Sequence, residues 1–256
     1  MQESKPVSTP MDTNKILNNI STEQDKGTEN IPYQEAIGAL LYLSQITRQD
    51  ISYAIYTLSA YNNIATKIHW QAVKRVFRYL QGTKELGLEY NKEGNNEIFG
   101  YCDADWANDE GDRKSITGYV FILQGGAISW SSKKQHIVAL LTCEAEYMSL
   151  AAAVPEALCL RKLIQELDPA SITKPTLIYM DNRGAIDLAH TSAYKPRTKH
   201  IDVRYHFIKE NIEKGNVTIK FIGTKEMLAD SLTKALPRIK HDTCTNGMGV
   251  RMLASQ

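Results

Sequence analysis

The sequence predicts an α/β protein in which a small helical bundle precedes a mixed β-sheet flanked by helices. Two observations lead to this fold class. Apolar residues recur at helical spacing in the first third of the chain, over about residues 33–80. From about residue 86, short β-rich runs bounded by Gly, Asn and Asp alternate with longer helical patterns. Because such alternation covers a sheet with helices, we expect one layered α/β domain.

The helical part is predicted to contain three short amphipathic helices. The third, at residues 69–80, has apolar and basic residues on opposite sides, and Gly82 supplies a stop. Its apolar side carries Trp70, Val73, Val76, Phe77 and Leu80. Its basic side carries Lys74, Arg75 and Arg78. That basic side is expected either to face solvent or to follow a nucleic acid.

The elements that follow the helical bundle are predicted from a change in the spacing of apolar residues near residue 86. The predicted strands are residues 86–90, 98–102, 118–123, 127–130, 177–180 and 217–222. The predicted helices are residues 144–167, 183–190, 201–214 and 227–236. Gly125 and Gly126 lie between two of the strands and favour a hairpin turn. This order of elements is typical of a mixed-sheet α/β domain.

The chain divides into four segments. Residues 1–30 are polar and contain Pro6 and Pro10, which indicates an extended linker arm. Residues 31–92 hold the helical patterns, and residues 93–241 hold most of the α/β pattern. Residues 242–256 form a short tail of mixed composition, for which no element is predicted.

Composition excludes several classes of protein. With 43% hydrophobic residues, 8 Pro and 15 Gly in 256 residues, the chain is neither collagen-like nor disordered throughout. Its 4 cysteines show no Cys-x-x-Cys spacing, which argues against a zinc site or a disulfide framework. No apolar run reaches the roughly 18 residues of a membrane span, and the N-terminus has no signal-peptide core. We therefore expect an intracellular, non-secreted protein without a membrane partner.

Charge is unevenly distributed along the chain. Residues 101–189 carry 8 Lys and Arg against 12 Asp and Glu, whereas residues 190–241 carry 11 against 5. An acidic stretch followed by a basic one permits a metal site beside a surface that binds a polyanion. Scattered, solvated charge is the equally simple alternative.

Four carboxylates stand where an α/β sheet forms its binding crevice. Asp103 and Asp181 each follow a predicted strand, Glu144 opens the long helix, and Asp230 lies in the last predicted helix. Singly, each is also typical of a turn, a helix start or the surface. Together they would repel one another unless cations neutralised them, and such oxygen ligands suit Mg²⁺ or Mn²⁺. A pair of these ions about 4 Å apart is the usual arrangement for phosphodiester hydrolysis.

A series of motifs occurs in order along nearly the whole chain. In the α/β part they are Gly100-Tyr-Cys-Asp-Ala-Asp-Trp-Ala107, Ser115-Ile-Thr-Gly-Tyr-Val-Phe121, Ile128-Ser-Trp-Ser-Ser-Lys-Lys-Gln135, Glu144-Ala-Glu-Tyr147, Asp181-Asn182, Thr198-Lys-His-Ile-Asp202 and Leu228-Ala-Asp-Ser-Leu-Thr-Lys234. Upstream they are Lys5-Pro-Val-Ser-Thr-Pro-Met11, Gly38-Ala-Leu-Leu-Tyr-Leu43, Asp50-Ile-Ser-Tyr-Ala54 and the run from His69 to Leu80. Together they resemble the C-terminal part of copia-type (Ty1/copia) retrotransposon Pol polyproteins. That part comprises a reverse-transcriptase thumb/connection region, here residues 31–92, followed by a ribonuclease H domain.

The resemblance implies a ribonuclease H-like five-stranded mixed sheet with an acidic quartet that binds two Mg²⁺ ions, Mn²⁺ being an alternative. Carried over to this chain, the quartet is Asp103, Glu144, Asp181 and Asp230. Asp103 would bridge both ions, Asp230 would complete one site, and Glu144 with Asp181 would complete the other. Glu144 is preferred to Glu146 because it opens the helix and is the first glutamate of its motif.

The substrate implied by the resemblance is the RNA strand of an RNA–DNA hybrid. Contacts to 2′-hydroxyl groups would distinguish RNA from DNA, with Asn182 as a candidate. Further candidates for nucleic-acid contacts are Lys133, Lys134, Arg197, Lys199 and His200, together with Lys74, Arg75 and Arg78. The palm-bearing remainder of a polyprotein is an expected partner. The expected location is a cytoplasmic particle or the nucleus.

The chain also departs from the family pattern. It has no Tyr-x-Asp-Asp motif, so DNA synthesis by this chain is not expected. Leu140 and Leu141 replace small polar residues before the glutamate motif, and Pro155 falls inside the long predicted helix, where proline favours a kink. The loop at residues 223–226 lacks the histidine that many cellular ribonucleases H carry.

The leading hypothesis is a metal-dependent endoribonuclease that acts on RNA–DNA hybrids. A catalytically silent nucleic-acid-binding remnant of a truncated polyprotein is the alternative; Pro155 and the missing palm favour it, whereas the complete quartet opposes it. A transposase or integrase of the same core fold is disfavoured by the helical prefix and by the segment that contains Asp230.

Overall fold

A computed structural model of the chain describes residues 4–13, 31–92, 94, 96–107, 112–169, 173–191 and 199–253, the side chains of 199–203 excepted. The helices are α1 (Tyr33–Ile46), α2 (Ser52–Ser59), α3 (Lys67–Gly82), α4 (Thr142–Leu167), α5 (Arg183–His190), α6 (Lys199–Glu213) and α7 (Arg238–Gly247). The strands are β1 (Leu86–Leu88), β2 (Phe99–Asp105), β3 (Ile116–Leu123), β4 (Gly126–Lys134), β5 (Thr176–Met180), β6 (Val217–Phe221) and β7 (Val250–Met252). Short 3₁₀ helices span Gln49–Ile51, Thr224–Glu226 and Leu228–Leu232.

Five of the strands form one mixed sheet in the order β4-β3-β2-β5-β6. Strands β2, β3 and β4 are antiparallel neighbours, whereas β2–β5 and β5–β6 are parallel pairs. The β3–β4 hairpin turns at Gln124 and Gly125, whose φ values of 53° and 78° are those of a tight hairpin turn. The predicted α/β class, the mixed five-stranded sheet and the preceding helical bundle are therefore confirmed.

Helix α4 packs along the sheet and contributes Tyr147, Leu150 and Val154 to the main core, where Ile178 and Met180 of β5 meet them. The helix runs through Pro155, which is exposed. Because its ring lies on the outside, this proline does not interrupt the side of α4 that contacts the sheet.

The helices α1, α2 and α3 enclose a second core, which includes Ile37, Leu40, Ile55 and Val73. Val7 of the N-terminal arm also packs against this core. The described part of the arm, residues 4–13, thus lies on the bundle, while residues 14–30 fall outside the described residues.

The end of the chain differs from the prediction. The predicted helix at residues 227–236 is only the 3₁₀ helix Leu228–Leu232, and α7 begins after Pro237. Proline explains this boundary, because it disfavours helical geometry in the residue before it. The tail that was predicted to hold no element contains the end of α7 and strand β7, which pairs with β1.

Helix α7 and the sheet both contact the bundle. The side-chain amide of Gln49 donates to the backbone oxygen of Met248 over 3.0 Å, and the indole of Trp130 on β4 donates to the backbone oxygen of Ser44 over 2.8 Å. The first of these bonds is buried. The bundle therefore supports the C-terminal helix that adjoins the site described next. Among the described residues, no helix has both the length and the apolar character to cross a membrane.

Candidate active site

Three carboxylates meet at one edge of the sheet. Asp103 lies on β2, Asp181 directly follows β5, and these two strands are parallel neighbours whose ends meet at the same edge. Glu146, near the start of α4, reaches them from the helical layer. Each residue offers a carboxylate oxygen, and the three oxygens lie within 4.8 Å of one another.

The structure does not bring Glu144 to this cluster, and Glu146 occupies the position that the sequence analysis gave to Glu144. Glu144 is half-buried, and its Oε2 accepts a hydrogen bond from the backbone N–H of Leu140 over 2.7 Å. Glu146 is only 4% exposed. The two side chains point in different directions because each residue of an α-helix turns by about 100°.

A signal in the sequence distinguishes the two glutamates. Glu146 shares the helical stripe of Leu150, Ala153 and Ala157, all of which are buried. A carboxylate on the apolar stripe of a core helix needs a partner in the interior. The stripe therefore predicts that Glu146 joins the cluster, whereas the order of the two glutamates in the motif favoured Glu144.

Asp230 is brought to the same region but is held differently. It lies on the 3₁₀ helix Leu228–Leu232 and is 2% exposed. Its Oδ1 is 2.8 Å from Lys234 Nζ, and its Oδ2 is 3.0 Å from Lys240 Nζ. The three-residue cluster does not include Asp230.

Two residues that follow Asp230 by three and four positions hold Asp103. The hydroxyl of Thr233 donates a short hydrogen bond to Asp103 Oδ2, and Lys234 Nζ lies 3.3 Å from the same oxygen. Thr233 and Lys234 end the last motif of the sequence, yet no role was predicted for either. Their positions link two of the carboxylates predicted for the quartet.

A loop on the other side of the site is held by hydrogen bonds. Thr224 Oγ1 donates to Asp181 Oδ2 over 2.7 Å. Lys240 Nζ donates to the backbone oxygens of Thr224, Lys225 and Met227 at 2.6, 2.9 and 2.9 Å. Lys240 therefore connects this loop to Asp230, and nothing in the sequence around it signals that role.

Burial and mutual repulsion raise the pKa of two of the clustered carboxylates, Glu146 and Asp103. Burial raises the pKa of Glu146, and the charges of Asp103 and Asp181 raise it further. Burial also raises the pKa of Asp103, an effect that Lys234 partly opposes and Asp230 reinforces. Burial alone would lower the pKa of Lys234, but Asp103 and Asp230 outweigh it and the net shift is upward.

The donor set fits a divalent cation. Glu146 Oε2 is buried and has no hydrogen-bond partner among the described residues. An unpartnered carboxylate oxygen in the interior is costly, and it lies beside two further carboxylates. Asp103, Glu146 and Asp181 would hold such an ion, and all-oxygen ligation suits Mg²⁺ or Mn²⁺.

The predicted nucleic-acid contacts on α3 are partly engaged by the arm. Arg75 donates to the backbone oxygen of Thr9 over 3.2 Å, and Arg78 donates to the backbone oxygen of Lys5 over 2.7 Å. Lys74 lines the cavity beside this contact. The arm thus occupies donors of both arginines.

The remaining predicted contacts fall in different places. Lys133 is exposed at the end of β4, and Lys134 pairs with Asp112 over 3.1 Å. Asn182 caps α5, with its Oδ1 accepting from the backbone N–H of Ala185. Outside the described residues lie Arg197 and the side chains of Lys199 and His200.

Comparison with known proteins gives close relatives over nearly the full length. The chain is 42% identical over 255 residues, 98% of its length, to the retrovirus-related Pol polyprotein from transposon TNT 1-94 of Nicotiana tabacum. It is 39% identical over 251 residues, also 98% of its length, to the Pol polyprotein from transposon RE2 of Arabidopsis thaliana. These matches cover 19% and 17% of the two relatives, so the chain spans less than a fifth of their length.

Among solved structures, LC11-RNase H1 isolated from compost aligns with a TM-score of 0.40 and 20% identity, covering 54% of this chain and 93% of that protein. No family model matches the chain. The identity to the two plant transposon polyproteins extends from the arm to β7. The chain belongs to the family of copia-type retrotransposon Pol polyproteins.

Proposed function

We propose that this chain is a metal-dependent endoribonuclease that cleaves the RNA strand of RNA–DNA hybrids during retrotransposon reverse transcription. The observation that carries the proposal is the cluster of Asp103, Glu146 and Asp181, in which Asp103 and Glu146 are buried and whose oxygens lie within 4.8 Å of one another. Three carboxylates this close repel one another strongly without a cation. A divalent ion relieves that repulsion and matches phosphodiester chemistry.

In this proposal the side chains bind and orient the metal. Asp103, Glu146 and Asp181 hold it, Thr233 fixes the carboxylate of Asp103, and Thr224 fixes that of Asp181. Mg²⁺, when bound, would lower the pKa of a water molecule and neutralise charge on the phosphate. Asp230 would complete the position of a second ion, as the resemblance implies.

The substrate side of the proposal rests on family membership and on charge. Lys133 is exposed on the sheet, which is consistent with a phosphate contact. Asn182 remains a proposed contact to the RNA strand, although its side-chain oxygen already caps α5. The proposed partners are the hybrid and the remainder of a Pol polyprotein.

Cleavage of a labelled RNA–DNA hybrid by the purified chain tests the proposal, with Mg²⁺ or EDTA and with a DNA duplex as the control substrate. We expect RNA cleavage in Mg²⁺ that EDTA and Asp103→Asn both abolish, and no cleavage of the DNA duplex. Hybrid binding without cleavage would support the silent nucleic-acid-binding alternative instead.

A further inference from the structure

Asp50 begins a motif of the helical bundle that has no role in the proposed function. It lies in the 3₁₀ helix Gln49–Ile51, between α1 and α2, and all three residues of this helix are buried. The carboxylate of Asp50 accepts hydrogen bonds from Arg48 and Tyr79. The short helix is therefore firmly anchored in the bundle.

The same short helix also holds α7, which comes from the other end of the chain. Nε2 of the buried Gln49 donates to the backbone oxygen of Met248, directly after α7, over 3.0 Å. Nε2 of the buried His241 lies 3.2 Å from the backbone oxygen of Asp50. The ring of His241 also meets that of Tyr79 edge-on, with 5.4 Å between the ring centroids. Buried polar groups thus attach α7 to the bundle in its first turn and just past its last residue.

Helix α7 also holds part of the site. Lys240, in the first turn of the helix, has its Nζ 3.0 Å from Asp230 Oδ2 and donates to three backbone oxygens of the loop at residues 224–227. At the other end of the helix, a Cβ added to Gly247 would lie 2.7 Å from Leu228 Cδ2. Leu228 belongs to the 3₁₀ helix that carries Asp230, so this helix lies directly against α7. One helix therefore contacts the bundle and the site at once.

We propose that Gln49 is a positioning residue of the site, because it fixes the helix from which Lys240 holds Asp230. His241 has the same role at the start of that helix. The inference rests on the proposed function, since Asp230 belongs to the proposed quartet. Buried polar groups allow few arrangements, because a buried group that loses its partner is costly. A displacement of about 1 Å at a reacting site can slow the reaction by roughly 100-fold, so a remote contact that holds α7 can set the rate.

The first test compares two variants that each remove one N–H donor between the bundle and the rest of the chain. Gln49→Met loses the bond to Met248, whereas Trp130→Phe loses the bond from β4 to the backbone oxygen of Ser44. We expect Gln49→Met to lower the kcat of hybrid cleavage in Mg²⁺ by about 10-fold with little change in KM, because only positioning is lost. Trp130→Phe should change kcat by less than about twofold, since its contact does not reach α7.

The free energy of unfolding, measured in urea, separates positioning from stability. Trp130→Phe also removes part of a larger ring, so it should destabilise the fold at least as much as Gln49→Met does. A loss of kcat in Gln49→Met alone then cannot come from lower stability. A kcat of Gln49→Met equal to that of the wild type, or an equal loss in both variants, would overturn the inference.

A second measurement needs no turnover. Hydrogen–deuterium exchange in EDTA should be faster over residues 224–232 in Gln49→Met than in the wild type, and unchanged there in Trp130→Phe. Equal exchange over these residues in both variants would also overturn the inference. Absence of cleavage by the wild type would contradict the proposed function, whereas exchange would still decide whether Gln49 orders this segment. His241→Phe, which keeps a ring against Tyr79, replaces Gln49→Met if circular dichroism shows that Gln49→Met is unfolded.

Discussion

Thr224 and Asp181 are joined by a 2.7 Å hydrogen bond from the threonine hydroxyl to Oδ2 of the carboxylate. Thr224 belongs to the loop whose backbone oxygens bind Lys240, and Lys240 in turn pairs with Asp230. The two carboxylates are thus oriented by one connected set of contacts, although they lie on different elements. Such outer contacts commonly decide metal affinity.

Loss of the Thr224 hydroxyl should weaken metal binding. For Thr224→Val we expect the Mn²⁺ dissociation constant to rise by roughly 10–100-fold, since Asp181 loses the donor that orients it. Thr224→Ser keeps the hydroxyl and should bind nearly as the wild type does. Thr243→Val is the matched control, because Thr243 is an exposed threonine whose hydroxyl donates to the backbone oxygen of Ile239 within α7. Equal affinity of Thr224→Val and Thr243→Val would contradict an orienting role.

The assignment of the helical glutamate is open to a direct comparison. Glu146→Gln should lower the rate of hybrid cleavage by at least about 100-fold, because it removes a charged ligand from the buried cluster. Glu144→Gln should change the rate by less than about threefold, since an amide oxygen can still accept from the N–H of Leu140. The reverse order of the two effects would restore the assignment made from the sequence.

The metal-free chain should lose stability as the pH rises. The pKa of Glu146 and that of Asp103 are both raised in the folded chain, chiefly by burial. Above about pH 4, unfolded carboxyl groups release their protons while these two retain them, so a higher pH favours the unfolded state. Between pH 5 and pH 8 in EDTA we expect the melting temperature to fall by at least about 3 °C.

Two comparisons identify the source of that pH dependence. Glu146→Gln carries no titrating proton and should show a clearly flatter profile in EDTA. Mg²⁺ should raise the melting temperature more at pH 8 than at pH 5, because it binds the deprotonated carboxylates. A wild-type profile in EDTA that rises between these pH values would be inconsistent with the buried cluster.

The bundle depends on a buried ion pair. Arg48 donates to both carboxylate oxygens of Asp50, at 2.9 and 2.7 Å, and Tyr79 donates to the same carboxylate over 2.6 Å. Asp50→Ala leaves the buried guanidinium without its negatively charged partner, so we expect the free energy of unfolding to drop by about 3–5 kcal/mol. Urea denaturation followed by circular dichroism measures this.

A solvent-exposed pair provides the reference for that measurement. Asp12 lies 3.4 Å from Arg75, and both side chains are partly exposed. Asp12→Ala should cost less than about 1 kcal/mol, since water screens the pair. Similar losses for Asp12→Ala and Asp50→Ala would show that burial does not set the strength of the Arg48 pair.

Much of the fold followed from local patterns in the sequence. The apolar periods predicted α1, α2 and α3, and the β-rich runs with their Gly125 turn predicted the strands of the hairpins. Asp103 and Asp181 were placed correctly beside each other because parallel strand ends meet at one sheet edge. Helix α7 was missed because the last predicted helix was ended at residue 236, before Pro237, and no element was predicted for the tail.

The sequence by itself determined helices α1 to α6, strands β1 to β6 and the carboxylates at the strand ends, because backbone propensity and apolar period act over a few residues. The apolar stripe of α4 favours Glu146 over Glu144, but only the tertiary structure decided that Glu146 meets Asp103 and Asp181. It also decided that Lys240 reaches Asp230 from a separate helix and that Arg78 binds the arm. These contacts join residues far apart in the chain, and a charged side chain selects its partner by distance and burial in the folded protein, which no local pattern encodes.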